Sequence, residues 1–215
     1  MTPQVLYFDL GNVLLSFSHE RMYRQMAEVV GVSPETLVQV IFGSGEAAGV
    51  LVQLETGRLT TEEYFEFVRR AVGKRPDPQR LATAVCDIFA PIDETWEIVR
   101  GLAAAGHRMA ILSNTNPLHW AFVTDGRFPL VANIGRPGSP FAWAILSCEA
   151  GAMKPDRAIY DAAIERAGVA ASEIFFVDDR PENVVGARAV GIDAVRYEGT
   201  MKLVDDLRVR GVPVT

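Results

Sequence analysis

The chain has 215 residues, 49% of them hydrophobic and 22% charged, with a formal net charge of −6. Those proportions are typical of a soluble globular protein and exclude a disordered chain, and the length suits one α/β domain or a core plus a modest second module. The negative balance, with no local Lys/Arg cluster, argues against a nucleic-acid partner, and no apolar run reaches membrane-spanning length.

In chain order, Val5-Leu6-Tyr7-Phe8 reads as a buried strand, short and almost wholly apolar, ended by Asp9. Residues 18–92 then hold no convincing strand, only helix signals. Ser33-Pro34 and Asp77-Pro78 have the form of an N-cap followed by an N1 proline. Thr60-Thr61-Glu62-Glu63 has capping-box spacing, and Tyr64, Phe65, Phe67 and Val68 follow it on an apolar face. Such a stretch is far too long for a βα loop, so an inserted helical module is expected, leaving and re-entering the core beside Asp9.

Downstream the pattern alternates. A helix over 94–105 puts Trp96, Val99, Leu102 and Ala103 on one stripe, and Met109-Ala110-Ile111-Leu112 is a strand ended by Ser113-Asn114. Gly126 to Phe141, rich in Pro and Gly, reads as a surface loop. Trp143 to Leu146 completes the sheet, and a helix over 155–167 stops at Gly168. Ile174 to Val177 is a strand ended by Asp178-Asp179, followed by a helix over 181–190 and a strand over Ala194–Tyr197. This alternation predicts an α/β fold: a Rossmann-like, doubly wound parallel sheet. The expected division is a core of 1–16 and 93–215 with a helical insertion over 17–92. Cys86 and Cys148 have no CxxC spacing and read as reduced thiols.

Ligands of open parallel sheets sit beyond the carboxyl ends of the strands, where this chain places its polar residues. Four motifs follow one another: Phe8-Asp9-Leu10-Gly11-Asn12-Val13, Ser113-Asn114-Thr115-Asn116, Lys154-Pro155-Asp156, and Asp178-Asp179 with Asn183. Singly, each has an ordinary structural explanation as a turn or helix start; together, in this order, they form a pattern. The pattern resembles the haloacid dehalogenase superfamily of Asp-nucleophile hydrolases, over essentially the whole chain, with the insertion matching that family's C1-type cap. Within the superfamily it is most similar to the bacterial α-D-glucose-1-phosphate phosphatases.

The resemblance implies a magnesium-dependent phosphatase acting on small phosphorylated metabolites through an aspartyl-phosphate. Asp9 would be the nucleophile, and Asp9, Asp178 and the Gly11 carbonyl would hold Mg2+. Asp179 would bind through a water or brace the loop, with Asn183 in support. Lys154 would bring positive charge to Asp9 and the phosphoryl group, and the Ser113 hydroxyl and Asn114 amide would bind phosphoryl oxygens. The chemistry is consistent: a divalent cation removes the repulsion between a carboxylate and a phosphomonoester dianion. A cytoplasmic monomer or homodimer is the expected setting.

One position departs from the resemblance. Many of these phosphatases carry a second Asp two residues after the nucleophile, to protonate the leaving oxygen; here that residue is Gly11. Esters with a better leaving group need less protonation, which favours sugar-1-phosphates. His19 and, less so, His119 are candidates for a replacement acid, and Glu46, Glu55, Arg58 and Tyr64 could face substrate from the insertion. Two other readings compete: a metal-free 2-haloacid dehalogenase, disfavoured by the Asp178-Asp179 pair, and a non-catalytic binding protein that kept the fold.

Overall fold

A computed structural model describes residues 2–42 and 46–214, with the side chains of 42 and 46–48 also outside the description. After β1 (Val5–Phe8) come β2 (Leu15–Phe17), α1 (His19–Val30), α2 (Pro34–Phe42), α3 (Glu46–Glu55), α4 (Thr61–Val72), α5 (Pro78–Cys86) and β3 (Phe89–Pro91). The chain continues through α6 (Asp93–Ala104), β4 (Met109–Ser113), α7 (Pro117–Thr124), β5 (Phe141–Leu146), α8 (Ser147–Ala150) and α9 (Arg157–Ala167). It closes with β6 (Ile174–Asp178), α10 (Pro181–Ala189), β7 (Asp193–Arg196) and α11 (Thr200–Val209).

Five strands form one parallel sheet in the order β5-β4-β1-β6-β7. The central strand, β1, is buried on both faces because its residues alternate between two cores. Leu6 and Phe8 pack with Trp96, Val99 and Leu102 of α6 and with Leu203 and Leu207 of α11. Val5 and Tyr7 pack with Ile159, Tyr160 and Ala163 of α9 and with Val184 and Ala187 of α10. The one polar atom on this strand's side chains is satisfied: the Tyr7 hydroxyl donates to the Ala163 carbonyl at 2.8 Å and accepts from Trp143 Nε1 at 2.8 Å. From β1 the chain winds first to β4 and β5 on one side, then to β6 and β7 on the other. Asp9 therefore leaves the sheet at its topological switch point, where an open α/β sheet has its crevice.

The helices between β2 and β3 bury a separate core that includes Met26, Leu37, Leu54, Tyr64, Val68 and Leu81. Their starts are built as the sequence suggests. Thr60 and Glu63 form a capping box, and the Asp77 carboxylate accepts from Arg80 N at 2.8 Å ahead of Pro78. A capping contact of this type is worth about 1 kcal/mol.

Three features differ from the sequence reading. The exit and return of the insertion are tied by an antiparallel pair, β2 with β3, and β3 falls within the 18–92 stretch where no strand was expected. Each strand is three residues long and β3 is half-exposed, too short for an alternation to register. The segment after Gly126 is not merely surface: Phe128, Leu130 and Val131 are buried in the core, and Phe128 meets the Trp96 ring edge-on, with centroids 6.4 Å apart. Helices α7 and α11 were not anticipated. Among the described residues no helix is long and apolar enough to cross a membrane.

Candidate active site

The first turn beyond β1 is fixed by backbone bonds. Asp9 N donates to the Val177 carbonyl at 2.9 Å, holding the residue between the ends of β1 and β6. Leu14 N and Leu15 N both donate to the Leu10 carbonyl, at 3.0 and 2.8 Å, and Asn12 N donates to the Leu15 carbonyl at 2.7 Å. Asn12 takes a left-handed conformation, φ 55°, which Asn tolerates better than most residues. Its side-chain amide then reaches Asp179 Oδ2 at 3.0 Å, linking the loop after β1 to the loop after β6.

Lys154 enters between those loops. Its Nζ donates to Asp9 Oδ1 at 2.7 Å, Asp178 Oδ2 at 2.6 Å and the Leu112 carbonyl at 2.9 Å, using all three ammonium protons. Asn114 aligns it: Asn114 Nδ2 donates to the Lys154 carbonyl at 2.8 Å, and Lys154 N donates to Asn114 Oδ1 at 2.7 Å. Asp178 is fully buried and also accepts from Asn183 Nδ2, at 2.9 Å to Oδ1, and from Arg180 N at 2.9 Å. Tyr160 in turn donates to the Asn183 carbonyl at 2.7 Å. Ser113 is buried at the end of β4, its hydroxyl 3.4 Å from the Asn114 carbonyl.

Charge is unbalanced here. One buried ammonium faces two buried carboxylates. Burial pushes the Asp9 carboxyl up from its ordinary value; Lys154 opposes that shift and the neighbouring Asp178 carboxylate adds to it. Burial works against the charge on Lys154, but the two carboxylates outweigh it and hold the ammonium above its ordinary value. A further cation would relieve the excess. Oxygen atoms of Asp9, Asp178 and Asp179 all lie within 4.8 Å of one another. An all-oxygen donor set of this kind suits Mg2+, which binds through one or two carboxylates and retains waters. Asn183 Oδ1, buried beside Asp178 with no partner among the described residues, is an acceptor that such a hydrated cation could satisfy. The residues fit the ion.

Around this centre the insertion meets the loops that follow the strands. Gly57, just after α3 and at φ 67°, lies so close to α8 that a Cβ there would stand 2.2 Å from the Cys148 carbonyl oxygen. Burial raises the Glu55 carboxyl, and the charge of Arg180 opposes that shift. His119, on α7, spans the two parts, its Nδ1 3.1 Å from Asn116 Nδ2 and its Nε2 3.2 Å from the Val85 carbonyl of α5. His19 stacks on Tyr23 and meets the Phe17 ring, with centroids 6.0 and 4.9 Å apart. Tyr64 is buried in the insertion's own core rather than facing the site, and Arg58 is exposed. The Glu46 side chain lies outside the described residues.

The structure thus brings together Asp9, Lys154, Asp178, Asp179 and Asn183, with Ser113, Asn114 and Gly11 on the adjoining loops. Sequence reasoning missed Asn12, Phe17, Tyr160 and Arg180. The Gly11-Asn12 dipeptide signals a turn and could have marked Asn12. Tyr160 gave no signal beyond its place on a helix, because its partner is a backbone carbonyl 23 residues away.

The sequence profile of the haloacid dehalogenase-like hydrolases matches residues 4–191. The chain is 23% identical to a D-ribitol-5-phosphate phosphatase of Bacteroides thetaiotaomicron, over 90% of this chain and 91% of that protein. It is 27% identical to flavin mononucleotide hydrolase 1 of Arabidopsis thaliana, over 98% of this chain and 79% of the other. Among solved structures it resembles a HAD family enzyme from Bacteroides thetaiotaomicron in complex with magnesium and inorganic phosphate. That match has a TM-score of 0.76 and 25% identity, covering 91% of this chain and 94% of that one.

Proposed function

The chain belongs to the haloacid dehalogenase-like hydrolase family, and from that membership we propose that it is a magnesium-dependent phosphatase of small phosphorylated metabolites. The observation that carries the reading is the convergence of the Asp9, Asp178 and Asp179 carboxylates with buried Lys154 at the switch point of the sheet. Bound at these carboxylates, magnesium would neutralise charge on the phosphoryl group and on Asp9. The relatives named as phosphatase and hydrolase of phosphate esters, and the magnesium and phosphate complex, support the same class.

In this reading Asp9 attacks phosphorus and the P–O bond to the substrate breaks, leaving an acyl phosphate on Asp9 and an alcohol or hemiacetal oxygen that takes its proton from water. A water then attacks the acyl phosphate, releasing inorganic phosphate and restoring the carboxylate. Lys154, held by three bonds, favours the ionised form of Asp9 and orients it. Ser113 and the Asn114 amide, at the end of β4, accompany the phosphoryl oxygens as charge develops. Residues 17–92 serve as the cap, closing over the strand ends through Gly57, Glu55 and the β2–β3 pair.

Gly11 directs the reading further, toward sugar-1-phosphates, whose anomeric oxygen leaves more readily than that of a simple alkyl ester. D-ribitol-5-phosphate and flavin mononucleotide, for which the two relatives are named, are esters of a primary alcohol and form the contrasting arm of the test. A phosphate-release screen with magnesium should rank anomeric, acyl and aryl phosphates above 5- and 6-phosphates. Alkyl esters at the head of the ranking would overturn the preference. No release from any ester would overturn the phosphatase reading.

A further inference from the structure

Position 11 is a glycine for a steric reason. A Cβ built on Gly11 would stand 2.8 Å from Phe17 Cε1, closer than carbon atoms pack, and 3.4 Å from Cδ1, in contact with it. Gly11 does not take a left-handed φ, so its own backbone conformation does not call for glycine; the Phe17 ring does. Neither partner is free to give way. The backbone from Leu10 to Leu15 is closed by the hydrogen bonds described above, with a bridge from Gly11 to Leu15. Phe17 is paired with Phe89 across β2 and β3, and its ring is packed by His19 at 4.9 Å and Phe89 at 6.2 Å between centroids.

We propose that Phe17 is a specificity-determining residue of this site: its ring fills the volume beside Gly11 that a proton-donating side chain would need, and so confines the enzyme to esters whose oxygen departs without one. The proposal rests on the phosphatase reading above and names the physical device behind its leaving-group preference. The other titratable groups nearby do not substitute. Lys154 spends its three protons on Asp9, Asp178 and Leu112. Asp179 is held by Asn12. His19 is packed edge-on against the Phe17 ring and stacked on Tyr23. His119 has both ring nitrogens engaged, with Asn116 and Val85. An aromatic wall in place of an acid also offers an apolar face to an aryl or sugar leaving group, so Phe17 acts by shape rather than by proton transfer.

Two measurements test this, one of them independent of activity. The first is a thermal-stability cycle over Gly11→Ala, Phe17→Ala and the double variant. Gly11→Ala should lower the melting temperature by several degrees in the natural background and by clearly less when Phe17 is Ala. Additive effects would overturn the steric claim. The second is the dependence of kcat/KM on leaving-group pKa, across aryl and alkyl phosphates with magnesium. The natural enzyme should show a steep slope, with p-nitrophenyl phosphate at least about 100-fold ahead of a simple alkyl phosphate, the scale of a missing general acid. The double variant Gly11→Asp/Phe17→Ala should flatten that slope by raising the alkyl rates, while Gly11→Asp alone should not. A flat slope in the natural enzyme would place the proton donor elsewhere, with Glu55→Gln the next variant, and would overturn the proposal. So would a single Gly11→Asp as effective as the double variant, or a double variant as steep as the natural enzyme. Coupling in the stability cycle without phosphate release from any ester would instead overturn the phosphatase reading itself.

Discussion

Lys154 Nζ lies 2.7 Å from Asp9 Oδ1 and 2.6 Å from Asp178 Oδ2, so a single buried cation holds together the carboxylates that end two neighbouring strands, β1 and β6. The arrangement keeps both acids in place but leaves one negative charge uncompensated. Breaking it should be costly. Lys154→Met strands two buried carboxylates and should destabilise the fold by about 3–5 kcal/mol in urea denaturation. Added magnesium should recover part of that loss, because it supplies the missing positive charge. Unchanged stability would contradict the burial of the triad.

Magnesium binding should be visible without turnover. At a concentration about 100 times its Kd, the ion should stabilise the protein by about 2.7 kcal/mol. Asp178→Asn should remove most of that gain, since it deletes an anionic donor from the centre. Calorimetric melts with and without MgCl2, for both proteins, make the comparison.

Asp9→Asn keeps the size of the side chain and deletes the proposed nucleophile. Phosphate release should fall by at least about 1,000-fold against every ester tested. The magnesium-free melting temperature should change little or rise, because the variant also relieves the excess negative charge. Retained turnover would assign the attack to another group.

Gly57→Ala probes the contact between the insertion and α8. Its Cβ would collide with the Cys148 carbonyl, and the φ of 67° is unfavourable for any other residue. The loop must then lift away from the strand ends. We expect kcat/KM to fall on the order of 10-fold or more, the scale set by slight misplacement of reacting groups. The global melting temperature should drop only modestly. An unaffected kcat/KM would show that this contact is not part of the closed site.

His119 supplies a pH dependence of stability. Burial lowers its pKa from 6.5 to about 4; the bond to Val85 opposes the shift and nearby His19 reinforces it. Neutral His119 satisfies both neighbours, with Nδ1 accepting from Asn116 and Nε2–H donating to Val85. As pH falls through 6.5 the unfolded chain takes up this proton first, so stability should decline from about pH 6.5 to about pH 4. The loss should be on the order of 3 kcal/mol. His119→Gln should remove that segment of the profile; an unaltered profile would assign the slope to other groups.

Much of this architecture can be read along the chain because it rests on local rules. The strands around Asp9, Ser113 and Asp178 are short and apolar because both their faces are buried, and their polar ends follow from where a parallel sheet opens to ligands. Capping signals at Thr60 and Asp77 announce their helices because the capping bonds span three residues. Pairings of distant residues behave otherwise. The three-residue strands β2 and β3 carry no readable alternation and exist because the two ends of the insertion meet. Phe128 is buried against Trp96, more than thirty positions away, and Leu130 and Val131 join the same core, while composition alone suggested a loop.

The site divides in the same way. Sequence by itself determined which residue types reach the strand ends, and therefore the carboxylates, the lysine and the glycine at position 11. Only the tertiary structure decided that Asn12 would clasp Asp179, that Asn114 would clamp the Lys154 backbone, and that Phe17 would occupy the space beside Gly11. The physical reason is that a side chain's type and its place on a strand or helix follow from neighbours a few residues away. Volumes and hydrogen-bond partners are settled instead by close packing between segments far apart in the chain, and a linear pattern carries no record of them.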